Sequence, residues 1–284
     1  MNASYTTAVV NKLLTYSLVD GPGNRAVVFL QGCNLRCSFC HNPYTLSLCN
    51  HCAVCVPACP AGALSLVDGR VQWDAALCRE CDTCIQVCPH YSTPRTQAYT
   101  VDELWQAIRP VTPFLAGITI SGGEPMLQAE FLLAFFRLVK SESCLHTMIE
   151  TNGMVGLERI QPLLPVLDSA MVDLKVFDLE KHRHLTGSPN EKVKRTIRGL
   201  ADQGKLYAVR QTVIPGVNDD PAEAAEMARF LAEIDPSIRL RFLRFRAHGT
   251  RGEAEGWASP EDDTLAALVQ AARSAGLTDV EHSL

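Results

Sequence analysis

The sequence has no long apolar run. Nowhere among its 284 residues do about 18 consecutive apolar residues occur, which is the length that a membrane-spanning helix needs. The N-terminal segment MNASYTTAVVNKLLTYSLVDGPG contains no uninterrupted apolar stretch of signal-peptide length either. We therefore expect a cytoplasmic protein with no membrane partner.

An excess of positive charge is absent as well. Lys and Arg together number 26 and Asp and Glu 31, so the formal net charge is -5 at pH 7. This balance argues against a broad electrostatic attraction to nucleic acid. With 47% apolar and 20% charged residues, the chain has the composition of a globular protein that needs no disulfides to fold, and we expect a monomer.

Cysteine is scarce in most of the chain and abundant in one part. Eleven of the 12 cysteines lie between Cys33 and Cys88, and only Cys144 follows them. Disulfides that hold a whole fold together would be spread along it, and in a reducing compartment clustered thiols are more often metal ligands. We therefore interpret the cluster as metal-binding. Cys144 is interpreted as a small buried hydrophobe without a role.

Strand and helix patterns alternate along the chain. Three helical patterns, at 126–140, 190–204 and 222–234, lie between apolar runs rich in β-branched residues. Such alternation predicts an α/β fold of parallel βαβ units, and about six of them favour an incomplete, open (β/α)6 barrel, although a doubly wound sheet has the same periodicity. In both folds the chemistry lies at the carboxyl ends of the strands. The predicted strands are 26–31, 117–121, 146–151, 170–176, 206–214 and 238–243.

Residues 45–99 interrupt this alternation. They are rich in Cys, Pro and short polar turns, and LSLVDGRVQW within them predicts a hairpin around Asp68 and Gly69. We interpret them as an inserted, ferredoxin-like small domain, so that residues 1–44 and 100–284 form the barrel. The insert contains a repeat, because the spacing C-x2-C-x2-C-x3-C-P occurs twice, displaced by 29 residues.

The repeated spacing is that of the bacterial two-cluster ferredoxin, in which the fourth cysteine of each run binds the other cluster. It predicts two 4Fe–4S clusters. A pair of zinc knuckles is the alternative, but zinc sites use two separated CxxC pairs and gain nothing from a third close thiol. One cluster would be held by Cys49, Cys52, Cys55 and Cys88, and the other by Cys59, Cys78, Cys81 and Cys84.

The stretch CNLRCSFC places three more thiols, Cys33, Cys37 and Cys40, directly after the first predicted strand. A zinc loop or another piece of a ferredoxin is one interpretation. The other is a third 4Fe–4S cluster, in which three thiolates leave one iron without a protein ligand. An iron of that kind can bind a cofactor and pass an electron into it.

These residues carry a resemblance to a known family. CNLRCSFCHNP is similar to the cluster loop of the radical S-adenosylmethionine (SAM) superfamily, and LVDGPGNRAVVFLQGCNLRCSFCHNP resembles the signature of the activating enzymes of glycyl radical enzymes. The insert is similar to that of the activases with two auxiliary clusters. The resemblance extends over roughly residues 16–252 through SGGEP (121–125), ETNG (150–153), DLK (173–175) and VIPGVND (213–219).

The resemblance implies three 4Fe–4S clusters, SAM and a partner glycyl radical enzyme. An electron from flavodoxin or ferredoxin would cleave SAM to methionine and a 5'-deoxyadenosyl radical, which would take a hydrogen from one glycine of the partner. This chemistry needs no general base, and the sequence has no Ser-His-Asp or paired-carboxylate pattern. The alternatives are a radical SAM enzyme that acts on a small molecule and an iron–sulfur protein for electron transfer or redox sensing.

The resemblance also assigns residues to SAM, beside the three cysteines of CNLRCSFC that would form the catalytic centre. Glu124 would accept a hydrogen bond from the SAM ammonium, and Arg210 would bind the SAM carboxylate or form an ion pair within the barrel. Phe39 would lean on the adenine or belong to the core, and His248 would close over the adenine or remain a loop histidine. The expected SAM-binding residues are Phe39, Cys40, His41, Gly122, Gly123, Glu124, Glu150, Asp173, Leu174, Lys175, Arg210 and His248.

Two further sites follow from the resemblance. Glu150 and Asp173, together with the Met171 carbonyl, would hold a monovalent cation. Asp20 and Gly21, in the turn DGPG, would contact the glycine loop of the partner enzyme.

Overall fold

A computed structural model describes residues 6–283 of the chain. The strands in this range are β1 (Thr7–Leu14), β2 (Arg25–Leu30), β3 (Leu64–Val67), β4 (Arg70–Trp73), β5 (Gln97–Thr100), β6 (Gly117–Gly122), β7 (His146–Thr151), β8 (Ser169–Asp173), β9 (Leu206–Val213), β10 (Leu240–Arg244) and β11 (Val280–His282). The α-helices are α1 (Thr83–Gln86), α2 (Val101–Ile108), α3 (Ala129–Glu142), α4 (Leu157–Ile160), α5 (Leu179–Thr186), α6 (Glu191–Asp202), α7 (Pro221–Ala232) and α8 (Asp262–Ser274). Across residues 6–283, no helix is both long and apolar enough to cross a membrane.

Nine strands form one sheet, in the order β11-β10-β9-β8-β7-β6-β2-β1-β5. Along this order, all pairs from β11 to β2 are parallel, whereas β1 is antiparallel to both of its neighbours, β2 and β5. The predicted α/β fold with a mostly parallel sheet is therefore confirmed. The parallel strands follow one another in chain order, without the reversal that a doubly wound sheet requires. Right-handed crossovers then place the connecting helices on one face of the sheet.

The six predicted strands are all present, with ends within three residues of those expected. Three strands of the large sheet were not predicted, namely β1, β5 and β11. Each lies at an edge of the sheet or next to one, and much of each is exposed or half-buried. Their sequences therefore lack the continuous apolar character by which central parallel strands are recognised.

The two faces of the parallel strands differ. In β7, Ile149 belongs to the main core with the helices, whereas Met148 lies in a small separate cluster. Side chains alternate along a strand, so Glu150 shares the face of Met148. Asp173 of β8 and Arg210 of β9 lie opposite each other in the sheet register and share this second face at its carboxyl end. This face and this end form the functional region.

The predicted hairpin is present in the insert. β3 and β4 pair antiparallel, and Asp68 and Gly69 have φ angles of 50° and 71°, as a two-residue type I′ turn requires. The hairpin packs in an apolar cluster separate from the main core. Residues 97–99, which the predicted insert includes, instead belong to β5 and pair with β1, because β5 leads directly into α2, whose N-cap is Thr100.

Candidate active site

A cavity of about 280 Å³ lies at the carboxyl ends of the parallel strands. The loop after β2 and the ends of β6, β7, β8 and β9 contribute to its wall. It brings together most of the side chains that the sequence analysis assigned to one site, namely Asp20, Cys33, Cys37, Cys40, His41, Gly122, Gly123, Glu150, Asp173, Lys175 and Arg210. This cavity is therefore the candidate active site.

Three thiols lie on one wall of the cavity. Burial raises the pKa of Cys33 to about 11 and that of Cys37 to about 12, and it also raises the pKa of Cys40. The Lys175 ammonium lowers each of these pKa values but does not outweigh burial. Thiolates at these positions therefore need further positive charge between them. Three half-buried thiols that share one cavity are a donor set that fits an iron–sulfur cluster.

Backbone hydrogen bonds hold the cysteine loop against α5. The N–H groups of Arg36 and Ser38 donate to the carbonyls of Thr186 and Leu185 at 3.1 and 2.9 Å. These carbonyls belong to the last turn of α5, where no helical N–H is available to them. Gly187, with a φ of 77°, ends the helix. The end of α5 therefore fixes the position of the loop.

Asn152 is a site residue that the sequence analysis missed. It lines the cavity, its Nδ2 lies 3.8 Å from Cys33 Sγ, and it donates to Asn34 Oδ1 at 2.8 Å. An amide N–H in this place can also donate to a cluster thiolate, and such bonds influence reduction potentials. The motif ETNG contains the residue, but the direction of its side chain depends on the turn after β7.

The buried carboxylate of Glu150 and the half-buried carboxylate of Asp173 share one guanidinium. Arg210 Nη1 donates to Glu150 Oε1 at 2.9 Å, and Arg210 Nε donates to Asp173 Oδ1 at 2.7 Å. Lys175 Nζ donates to Asp173 Oδ2 at 2.9 Å, and Ser121 Oγ donates to Glu150 Oε2 at 2.8 Å. Burial alone would raise the pKa of Asp173, but Arg210 and Lys175 hold it well below its usual range. The ion pair that was the alternative role for Arg210 is present, and a monovalent cation would compete with these donors.

Gly122 and Gly123 let the loop after β6 approach β2. A Cβ on Gly122 would lie 2.3 Å from the backbone of Leu30, and one on Gly123 would lie 2.1 Å from Gly32 O. These two glycines, which were expected to let a cofactor approach the backbone closely, therefore also let two backbone segments of the chain approach each other closely. Larger residues here would separate the two strands that carry the cavity wall.

Glu124 does not line the cavity. Its carboxylate accepts hydrogen bonds from the N–H of Asn152 at 2.8 Å, the N–H of Met126 at 3.1 Å and the hydroxyl of Thr151 at 2.8 Å. Burial raises the pKa of Glu124 to about 7 in spite of these donors. The carboxyl therefore ties the loop after β6 to the turn after β7, rather than facing an ammonium in the cavity. Without it, these donors would be buried unpaired.

Three other expected SAM contacts lie outside the cavity wall. Phe39 is buried in an apolar cluster beside the cysteine loop, and Leu174 belongs to the main core. Their apolar side chains are removed from water there, so Phe39 takes its alternative place in the core. His248 is exposed, and the neighbouring Gly249 packs against the His41 carbonyl instead.

Asp20 and Gly21 occupy different environments. Asp20 lines the cavity, and its carbonyl accepts a hydrogen bond from Thr119 Oγ1 at 2.7 Å. Gly21 has a φ of 127°, and a Cβ there would lie 2.7 Å from Met148 Sδ, so its backbone packs closely on the sheet. The apolar side chains just before them are largely exposed, at 72% for Tyr16, 73% for Leu18 and 71% for Val19.

The cysteines of the insert lie in two groups. The second set, Cys59, Cys78, Cys81 and Cys84, lines one small cavity and is the set that the spacing assigns to one cluster. The first set is Cys49, Cys52, Cys55 and Cys88. Burial, together with the neighbouring thiols of Cys84, Cys49 and Cys88, raises the pKa of Cys55 to about 11. Within residues 6–283, no three Cys, His, Asp or Glu side chains are placed to hold a single metal ion.

The two halves of the insert share a backbone conformation. His51 and Ala53 have φ angles of 60° and 62°, and the residues 29 positions later, Glu80 and Asp82, have 52° and 60°. Residues other than glycine seldom adopt positive φ, so the repeat in the sequence is also a repeat in the backbone. Outside the insert, Cys144 is exposed rather than buried as expected, because it lies in the turn before β7.

The family model of the radical SAM superfamily matches residues 27–228. This range begins in β2, contains the cysteine loop and the insert, and ends in α7. The chain belongs to the radical SAM superfamily. Among solved structures, a radical SAM methyltransferase from Sphaerobacter thermophilus is similar, with a TM-score of 0.59 and 18% identity over 91% of this chain and 67% of that one. At this identity the likeness shows the fold alone.

Curated relatives place this radical SAM chain among activating enzymes. The isethionate sulfite-lyase activating enzyme of Nitratidesulfovibrio vulgaris is 36% identical over 268 residues, which cover 87% of this chain and 86% of the relative. The pyruvate formate-lyase-activating enzyme of Streptococcus mutans is 28% identical over 249 residues, which cover 86% and 79%. The chain is therefore a radical SAM enzyme of the activating type, as the sequence resemblance predicted.

Proposed function

We infer that this chain is a radical SAM activase that generates the radical of a partner glycyl radical enzyme. The observation that carries the inference is the placement of Cys33, Cys37 and Cys40 on the wall of a cavity that Asp20 and Arg210 also line. The names of the relatives, which specify isethionate sulfite-lyase and pyruvate formate-lyase, support a protein substrate. They favour this function over catalysis on a small molecule and over redox sensing.

The three cavity cysteines would hold a 4Fe–4S cluster, with SAM bound beside it. When bound, cluster and SAM together supply one-electron cleavage of SAM and hydrogen abstraction from a glycine of the partner. The side chains of the cavity would orient SAM and balance its charge. Lys175 and Arg210 are cations at the cavity wall that suit the SAM carboxylate, and Glu150 and Asp173 hold Arg210 in position. His41 lies on the same wall and would be available to hydrogen-bond the adenine.

The insert would carry two further 4Fe–4S clusters and pass electrons from a flavodoxin or ferredoxin. The grouping of the second set around one cavity and the repeated backbone conformation support this role. Arg251, in the loop after β10, donates to the carbonyls of Cys88 and Ile85 in the insert. Two residues earlier in the same loop, Gly249 packs on His41 beside the cavity. This loop therefore gives the insert a continuous contact with the cavity wall.

The glycine loop of the partner would enter past the turn DGPG. Asp20 reaches the cavity from this turn, and the three apolar side chains that precede it stand largely exposed. Exposed apolar side chains beside a cavity are typical of a surface that binds another protein.

Anaerobic reconstitution tests the proposed function. A variant with Cys33→Ala, Cys37→Ala and Cys40→Ala should bind about four fewer irons per chain and form no 5'-deoxyadenosine with dithionite and SAM. The control Cys144→Ala should keep both properties. Isethionate sulfite-lyase and pyruvate formate-lyase, added separately, should reveal the partner by a glycyl doublet in electron paramagnetic resonance (EPR). SAM cleavage by the triple variant would refute the proposal, and cleavage without a doublet from any glycyl radical enzyme would favour a small-molecule substrate.

A further inference from the structure

Trp73 carries a buried donor without a partner. It is the last residue of β4, and its Nε1 is buried without a formed hydrogen bond. The indole lines the small cavity that the second set of cysteines surrounds. The Cys78 thiol lies within reach of a hydrogen bond from it. A buried indole N–H is normally satisfied, and here a thiolate is the acceptor beside it.

Two more donors approach the second set. Arg95 lines the same cavity and also lies within reach of Cys78, while its Nη2 is paired with Asp82 Oδ1 at 2.5 Å. The guanidinium has five N–H groups, so the ion pair leaves others for the sulfur. Thr83 Oγ1 lies 3.4 Å from Cys81 Sγ, where a hydroxyl can donate to a thiolate.

The first set has a different environment. His51 Nδ1 lies 3.9 Å from Cys49 Sγ, but it accepts the N–H of Val71 at 3.1 Å. A ring nitrogen that accepts a hydrogen bond carries no hydrogen, so this one cannot donate to the sulfur. Arg251 also approaches the first set, yet it donates to the carbonyl of Cys88 and acts on the thiolate only through the peptide group.

The repeat allows a direct comparison of the two sets. The residues that stand 29 positions before Trp73, Thr83 and Arg95 are Tyr44, Val54 and Leu66. Two of these are hydrocarbon side chains without a donor. The third could donate, but the Tyr44 hydroxyl is bonded to Asn42 Oδ1 at 3.1 Å. For each side-chain donor that faces the second set, the residue 29 positions earlier therefore either has no donor group or has its donor bonded elsewhere.

We propose that Trp73, Thr83 and Arg95 give the cluster of the second set a higher reduction potential than that of the first set. The proposal rests on the proposed two-cluster insert. Each cluster takes up one electron on reduction, and hydrogen bonds to its thiolates stabilise the added negative charge. An electron delivered to the insert therefore resides first at the second set.

A redox titration of the reconstituted holoenzyme, with dithionite as reductant and EPR as readout, tests the proposal. The wild type should show two separate midpoints for the auxiliary clusters. Trp73→Phe keeps the ring and removes the N–H, so the upper midpoint should fall while the lower stays in place. Tyr44→Phe is the matched control at the repeat counterpart and should move neither midpoint, because its hydroxyl is bonded to Asn42. Thr83→Val should lower the upper midpoint as well, which provides a second test should Trp73→Phe fold poorly.

Two results would overturn the proposal: equal midpoints in the wild type, or an upper midpoint that neither Trp73→Phe nor Thr83→Val moves. Iron analysis of the same samples separates this failure from failure of the proposed function. A chain that binds only about four irons lacks the two-cluster insert altogether. One that binds about twelve irons, with equal midpoints, retains the proposed function and contradicts only the inequality of its auxiliary clusters.

Discussion

The Arg210 guanidinium is the cation that the carboxylates of Glu150 and Asp173 share. Arg210→Met leaves Glu150 buried without a cation, while Asp173 keeps Lys175, so we expect the free energy of unfolding to fall by about 3 kcal/mol. Urea unfolding at neutral pH measures this loss. The control is Arg241→Met, because the partner of Arg241, Glu281, is 48% exposed. That variant should lose only about 0.2–1 kcal/mol, and equal losses for both would show that the cavity pair is not a buried network.

Glu124 should make stability depend on pH in the opposite direction to an ordinary ion-paired carboxylate. Its pKa is about 7 in the fold because burial raises it, and about 4.3 in the unfolded chain. Between these values the folded protein binds more protons, so the free energy of unfolding should fall as the pH rises from about 4.3 to 7 and then level off.

Glu124→Gln provides the test, with urea unfolding measured from pH 4 to 8. The variant should lose the slope, since an amide does not titrate. Because an amide NH2 cannot accept the N–H of Asn152, the variant should be less stable than the wild type by about 1–3 kcal/mol near pH 4, and this difference should shrink as the pH rises and the wild type loses stability. A slope that survives the substitution would assign the pH dependence to another group.

Single residues also show where sequence reasoning succeeds and where it stops. Spacing alone grouped Cys33, Cys37 and Cys40, because close positions in one loop stay close in the fold. Phe39 and Glu124 do not line the cavity, since packing against distant segments decides whether a side chain near a cavity faces it. No feature of the sequence indicated that the same packing would bring the Asn152 side chain close to the thiols.

At the scale of the elements, the contact between the end of β2 and the loop after β6 leaves no space for an added side chain. Gly123→Ala would place a Cβ 2.1 Å from the Gly32 carbonyl, which is backbone and cannot turn aside. We expect a loss of about 3 kcal/mol in the free energy of unfolding, together with loss of iron from the adjacent cysteine loop. Gly62→Ala is the control, because its φ is 62° but nothing lies within 4 Å of the added Cβ. It should cost about 1 kcal/mol and leave the iron content unchanged, so similar effects of both would contradict the crowding.

The central strands and helices could be predicted because burial against their neighbours requires apolar residues at regular positions in the sequence. β7 and β8 are buried along most of their length and have apolar, β-branched centres, and the helix pattern at 126–140 corresponds to α3. β5 has only four residues, none of them buried, and leaves no such pattern. The hairpin of β3 and β4 was predictable for another reason, since Asp-Gly at a two-residue turn is a local signal.

For the whole molecule, the cysteine-rich segment leaves the large sheet and returns to it at nearly one place. The N–H of Ser47 donates to the Tyr91 carbonyl at 3.1 Å, so residues 48–90 begin and end side by side. The insert also has an apolar cluster separate from the main core. A segment with close ends and its own core can be removed with little cost to the rest.

Replacing residues 48–90 with Gly-Ser should therefore leave an α/β fold that still unfolds cooperatively in urea. The variant should bind about eight fewer irons per chain and keep dithionite-driven formation of 5'-deoxyadenosine, because Cys33, Cys37 and Cys40 remain on the cavity wall. Reduction by flavodoxin should become slower, since electrons would have to reach the cavity without the insert. Loss of dithionite-driven SAM cleavage in a folded variant would mean instead that the insert shapes the cavity itself, through the contact of the Arg251 loop.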